Sequence, residues 1–405
     1  MTIETVNTVI VGGGQAGLAM SAHLREQGVE HVIFERDRIA ERWRTARWDG
    51  LVANGPAWHD RFPAKTFAGI DGDAFATKDE VVAYLEQFAG EIDAPVRDGV
   101  SVEHVVRAAG GGFDVTTSAG AWRAQNVVAA TGPFQRPVIP PVVPADAPVT
   151  QLHSNAYRNP EQLAPGAVLV VGSGSSGAQI ADELLRAGRT VYLSIGPHDR
   201  PPRAYRGRDF VWWLGVLGKW QMKTPEAGRE HVTIAVSGAY GGRTIDFREF
   251  AERGMHLLGM TAGYADGSVQ FADDLADNIA AGDDNLLNLL READAYVDGG
   301  GEALPPEPQA HEIGPLPEAA VQRVHALDLR DAGVNTIVWA TGYAQNFDWL
   351  DVDAFDEQGK PDHHRGVARA NGVYFLGLPW LSMRGSSFIW GVWEDAAYLA
   401  THIAN

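Results

Sequence analysis

The chain has no cysteine among its 405 residues. Disulfides, thiolate metal sites and a redox-active cysteine pair are therefore excluded from its chemistry. Positive charge is scarce as well: 33 Lys and Arg face 52 Asp and Glu, a formal net charge of -19. That field repels phosphate backbones and anionic lipid surfaces, which argues against nucleic acid or a membrane as partner. No apolar run approaches the ~20 residues that span a bilayer; the best candidate, FVWWLGVLG from Phe210, is far shorter. The opening MTIETVNTVIVGGG lacks the basic start, apolar core and cleavage site of a signal peptide, so cytoplasmic residence is the default expectation. His363 and His364 have no suitably spaced partners, so no metal site is expected, and no G-x-S-x-G elbow occurs.

What is present is an ordinary globular composition, 45% hydrophobic and 21% charged, with length for two or three domains. VIVGGGQAGLAMSAHLREQGVEHVIFE, from Val9, reads as strand, glycine turn, helix and strand, the opening of a doubly wound α/β fold. Gly12, Gly14 and Gly17 satisfy G-x-G-x-x-G in that context. Glycine there permits a tight turn and close approach of a pyrophosphate, and the helix N-terminus offers aligned N–H donors. Glu35 ends the second strand, where a carboxylate accepts hydrogen bonds from a ribose diol. Gln15, at the helix start, and Arg36, after Glu35, are counted with this site.

The pattern recurs at VVGSGSSGAQIADELLRAGRTVYLS, from Val170, with Gly172, Gly174, Ser175 and Gly177. The position matching Glu35 is Ser194, followed by Arg200, Arg203 and Arg206. A carboxylate repels a 2′-phosphate, whereas serine with nearby arginine accepts one, so NADPH is expected here; the other reading makes these arginines solvated loop residues. Each glycine motif has its own Ala-Thr-Gly strand, ending at Thr131 and Gly132 for the first and at Thr341 and Gly342 for the second. Between the units lies the proline-rich GPFQRPVIPPVVPADAP, read as a linker. The fold expected is α/β with two nested Rossmann-like dinucleotide-binding domains: residues 1–147 and 331–405 for FAD, interrupted by 148–330 for NADPH. Hydride would pass between the two cofactors. With no cysteine pair to receive the electrons, oxygen is the acceptor that needs no further protein redox group.

With these motifs in place, the chain resembles the class B flavin-dependent monooxygenases, which include flavin-containing and Baeyer-Villiger monooxygenases. The resemblance covers nearly the whole chain and extends to HSNAYRNP in the linker. There His153 and Tyr157 keep the spacing of the family signature, while Ala147 and Val149 replace its phenylalanine and first glycine. Tyrosine at 157 looks more like the heteroatom-oxidising or indole-pyruvate-type branch. His153 is read either as an active-site residue or as a structural anchor of the linker. Trp43 stands where the family has a tryptophan near the flavin, although Glu41 and Arg42 replace the glycines before it. Asn54 matches an asparagine near the reactive flavin edge, and Asn-Gly is also a common turn. Gly377 is followed by Leu378 rather than the family's aspartate, leaving Gly385, Ser386 and Ser387 to face the flavin ring.

The resemblance implies reduction of FAD by NADPH, formation of a flavin hydroperoxide with oxygen, and oxygenation of a small organic substrate at nitrogen, sulfur or a carbonyl carbon. Two alternatives stay open: an NADPH-dependent flavin reductase or oxidase that releases hydrogen peroxide, and a non-catalytic nucleotide-binding scaffold. The partners expected are the small-molecule substrate and O2, with a homodimer left open. The stretch from Arg206 to Gly301 is expected to contribute to the substrate pocket.

Overall fold

Alternating apolar runs and glycine turns build two sheets, one mixed and one parallel, and in each a strand is followed by a glycine-started helix. The computed structural model describes residues 3–225 and 233–405. In the first unit, strand Glu4–Val11 lies between strands His31–Glu35 and Gly120–Ala129, parallel to both. Val96–Asp98 extends the sheet beyond His31–Glu35. Gly120–Ala129 is long enough for two neighbours on its far side. Its first half pairs antiparallel with Phe113–Thr117, and Val127–Ala129 pairs parallel with Val373–Phe375. The C-terminal segment thereby returns to the first unit.

The second unit is a five-stranded sheet in the order His256–Leu258, Val191–Ser194, Ala167–Val171, Val334–Trp339, Thr150–His153, parallel throughout. Its centre is continuous apolar sequence because both faces are covered. Val168, Leu169 and Val170 are fully buried, each contributing about 1.5–3 kcal/mol relative to an exposed side chain. The strand Val334–Trp339 belongs wholly to this sheet. The expected return to the first unit at residue 331 therefore falls later. Tyr343–Ala344 pairs antiparallel with Arg136–Pro137, so the outgoing and returning connections run side by side.

Local chemistry fixes several element ends. The helix Lys78–Glu91 starts at a reciprocal cap in which Thr77 Oγ1 accepts from Glu80 N–H and Glu80 Oε2 accepts from Thr77 N–H, worth about 1 kcal/mol. The last helix, Gly391–Ala404, packs on the first glycine helix, Gln15–Glu26. Gly377 lets the segment after Val373–Phe375 run close to the first helix: a Cβ there would lie 2.8 Å from Cβ of Ala16. Among the described residues, no helix is long and apolar enough to cross a membrane.

Candidate active site

Both glycine turns are shaped by contacts that only glycine allows. A Cβ on Gly17 would stand 1.9 Å from the carbonyl O of Gly12, and one on Gly177 would stand 1.8 Å from that of Gly172. Each helix therefore starts tight against its own strand end. Neither helix N-terminus, at Gly14 or Gly174, is capped by a side chain, so each keeps main-chain donors for a bound anion. Glu35 holds the lip of the first cradle, its Oε2 accepting from Gly13 N–H at 2.7 Å and its Oε1 from Asp37 N–H at 3.0 Å. Gln15 Nε2 donates to the Ser387 carbonyl at 2.9 Å, tying the helix start to the segment before the last helix.

The two cradles open into one cavity of about 1520 Å3, larger than the ~300–1,000 Å3 usual for one small ligand. Gly12, Gly14, Gln15, Glu35, Arg36, Trp43, Asn54, Thr131, Gly132 and Gly377 line it from the first unit. Gly172, Gly174, Ser175, Ser194, Thr341 and Gly342 line it from the second. Phe210, Val211, Leu214 and Trp220, from the segment after Arg206, add an apolar wall.

Gly17 and Gly177 stand behind the cradles they shape, and Arg200, Arg203, His153 and Ser386 sit elsewhere. Arg200 is buried, with Nη2 2.6 Å from Asp283 Oδ1, and it does not line the cavity. Arg203 is buried too: Nη2 lies 2.6 Å from Asp209 Oδ2, and its guanidinium sits between the rings of Phe75 and Phe210. Both arginines are neutralised inside the fold and are not presented to a 2′-phosphate. His153 is buried at the end of strand Thr150–His153, its Nε2 2.9 Å from the Gly342 carbonyl, and burial holds its pKa below the ordinary 6.5. It anchors the paired connections and stays out of the cavity wall. Ser386 is fully buried, its Oγ accepting from Ser382 and Met383 N–H, while its neighbour Ser387 reaches the cavity. Ser194 does line the cavity, but its hydroxyl donates to the Gly259 carbonyl at 2.9 Å and lies 2.8 Å from Thr261 Oγ1.

The structure gives Asn54 and Tyr157 their partners and adds Gln179, Arg47 and His59, which sequence motifs do not flag. Asn54 Oδ1 accepts from Gln179 Nε2 at 2.9 Å, and its carbonyl accepts from Arg203 Nη1 at 2.7 Å. Arg47 lies 4.8 Å over the Phe134 ring and forms no ion pair with a described carboxylate; burial lowers its pKa. His59 shares the wall with Asn54, its Nδ1 2.8 Å from Asp60 Oδ1 and its ring beside Trp58, Trp220 and Trp390. Tyr157, the signature aromatic, is fully buried and donates to Glu183 Oε2 at 2.7 Å, fastening the linker to the second glycine helix, Ser175–Arg186. Burial raises the Glu183 pKa.

Comparison with known proteins adds to this geometry. The family described as "Pyridine nucleotide-disulphide oxidoreductase" matches residues 9–207. The chain is 33% identical to an uncharacterized CzcO-like oxidoreductase of Geobacillus kaustophilus over 99% of each chain. It is 34% identical to the indole-3-pyruvate monooxygenase YUCCA1 of Oryza sativa subsp. japonica, over 94% of this chain and 88% of that one. A solved flavin-containing monooxygenase from Stenotrophomonas maltophilia shares the fold with a TM-score of 0.68 and 21% identity, covering 99% of this chain and 98% of the other.

Proposed function

The chain belongs to the class B flavin-dependent monooxygenase family, and from that premise we propose that it is an FAD monooxygenase reduced by NADPH. Its substrate is a small organic molecule oxygenated at nitrogen, sulfur or a carbonyl carbon. One observation carries this reading: two uncapped helix N-termini, each built by a glycine no Cβ can replace, open into the same cavity.

The residues fit the two groups. Main-chain donors at Gly14–Gln15 and the lone pairs of Glu35 would hold the FAD pyrophosphate and ribose, and the corresponding donors at Gly174–Ser175 would hold the second dinucleotide. Arg47, with no described carboxylate partner, supplies a cation for phosphate. FAD, when bound, supplies a ring that accepts a hydride and returns the electrons to oxygen. The protein's part is to bring both rings together at Asn54, whose amide NH2 offers hydrogen-bond donors, and to exclude water with Phe210, Leu214 and Trp220. Ser194 in place of a carboxylate lets NADPH enter the second cradle. With Arg200 and Arg203 committed to internal carboxylates, the preference over NADH is modest.

The test is an electron account. The FAD-loaded protein is supplied with NADPH, O2 and a panel of amines, thioethers and ketones, and NADPH loss, peroxide and oxygenated product are measured together. A substrate that lowers peroxide per NADPH while product appears in equal measure supports a monooxygenase. Peroxide equal to NADPH consumed with every compound makes the protein an oxidase and overturns the proposal.

A further inference from the structure

Gln179 stands on the second glycine helix, between two acceptors. Its Nε2 donates to the main-chain carbonyl of Val236 and to Oδ1 of Asn54, both at 2.9 Å. A main-chain carbonyl only accepts, so the Gln179 amide must turn its nitrogen toward Val236, and the same nitrogen then meets Asn54. Asn54 must answer with its oxygen. The direction of both amides follows from a carbonyl that has no alternative role, independent of what fills the cavity. The part of the Asn54 side chain left for the cavity it lines is its NH2. The reverse orientation would set two NH2 groups against each other beside Gln179, which is only 6% exposed and has no ready access to water as a substitute partner.

The backbone around Asn54 is gripped by the same unit. Arg203 Nη1 donates to the Asn54 carbonyl at 2.7 Å. Gly238 comes so close that a Cβ on it would lie 2.1 Å from the Ala53 carbonyl O. A residue of the FAD unit thus takes its side-chain orientation and part of its backbone support from the dinucleotide unit.

Resting on the reading that Asn54 faces the bound rings, we infer that Gln179 is a positioning residue that locks the Asn54 carboxamide with its NH2 toward them. The cavity then meets a fixed donor at Asn54. A fixed donor suits a carboxamide or ring carbonyl oxygen of the bound cofactors, and it favours negative charge that develops there without reorienting during the reaction. An Asn54 free to flip would offer an oxygen to the same atoms for part of the time and repel them.

The test is a double-mutant cycle on the FAD-loaded protein, with the Kd of NADP+ read from the perturbation of the flavin absorbance. Gln179→Met keeps the length and removes both donors; Asn54→Ala removes the group being positioned. Gln179→Met is expected to weaken NADP+ about 5- to 10-fold and Asn54→Ala by a similar factor, with the double variant no weaker than Asn54→Ala. The melting temperature serves as a control, because Val236 loses its donor in either background and a merely structural Gln179 would act equally in both. If Asn54→Ala weakens NADP+ and Gln179→Met does not, or if the two effects add, the positioning role is overturned while the reading of Asn54 survives. If Gln179→Met fails to retain FAD while Asn54→Ala retains it, Gln179 is structural and the inference also falls. If Asn54→Ala binds NADP+ as the wild type does, the reading of Asn54 fails and takes this inference with it.

Discussion

The guanidinium of Arg200 meets the carboxylate of Asp283 with Nη2 2.6 Å from Oδ1, and Arg248 grips the same carboxylate with Nη2 2.6 Å from Oδ2. All three side chains are buried. Removing Asp283 leaves two interior cations with only Asp246, 3.5 Å from Arg200 Nη1 and 3.6 Å from Arg248 Nη1, to compensate them, so Asp283→Ala is expected to cost up to about 3–5 kcal/mol in chemical denaturation. Arg200→Met leaves Arg248 in place and is expected to cost less. Because Arg200 faces inward, it should leave the ratio of kcat/KM for NADPH and NADH within about twofold of wild type, well inside the ~tenfold that 1.4 kcal/mol represents. A larger fall in that ratio would return Arg200 to the nucleotide site.

The two cradles should fail separately. Gly17→Ala and Gly177→Ala each drive a Cβ into a carbonyl within 2 Å, so helix and strand must part where a pyrophosphate is proposed to bind. Gly17→Ala is expected to purify without flavin. Gly177→Ala is expected to keep its yellow colour and lose reduction by NADPH. Absorbance of the purified variants, before and after NADPH under nitrogen, measures both.

Ser194 offers a finer test. Its hydroxyl is held by Gly259 and Thr261 at the cavity wall. Ser194→Glu places a carboxylate where a 2′-phosphate is proposed to lie, and like charges in proximity disfavour each other. The NADPH to NADH ratio of kcat/KM should fall by about tenfold or more. An unchanged ratio would move the 2′-phosphate elsewhere.

The repeating elements were legible because their physics is local. Period and glycine spacing announce both cradles. The wall of the site was less legible, because it is assembled across the seam between units. Asn54 and Gln179 meet from opposite units, 125 positions apart, and no local pattern links them. Arg200 and Arg203 show the converse failure. Their position after the second cradle suggested phosphate, but Asp283 and Asp209 are chemically equivalent claimants, and only the fold decides between them. Strand Val334–Trp339 illustrates the same limit for domain boundaries, since an apolar run does not declare which sheet receives it.

Acid should destabilise the protein through its histidines. His23, His31, His153, His198 and His363 are all held below the ordinary 6.5, in each case chiefly by burial. Below that value the unfolded chain binds protons that the folded chain still refuses, so stability falls as pH drops through about 6.5. The buried carboxylates Glu183, Asp199 and Asp395, whose pKa values are raised by burial, act with the opposite sign. A single substitution therefore isolates the effect better than the whole profile. His153→Asn should flatten the dependence of Tm on pH between about pH 7 and about pH 6, removing up to about 1.4 kcal/mol per pH unit. A slope identical to wild type would mean that His153 takes its proton as readily in the fold as in the unfolded chain.

Two cradles face one cavity, and hydride is proposed to cross from the ligand of one to the ligand of the other. Anaerobic mixing of the FAD-loaded protein with NADPH tests it most directly, following the visible absorbance of oxidised flavin in wild type and in Gly177→Ala. Wild type is expected to bleach completely, and an FAD-loaded Gly177→Ala protein is expected to stay yellow with NADPH yet bleach with dithionite. A wild type that binds FAD but is not bleached, or a Gly177→Ala variant reduced as fast as wild type, would contradict it.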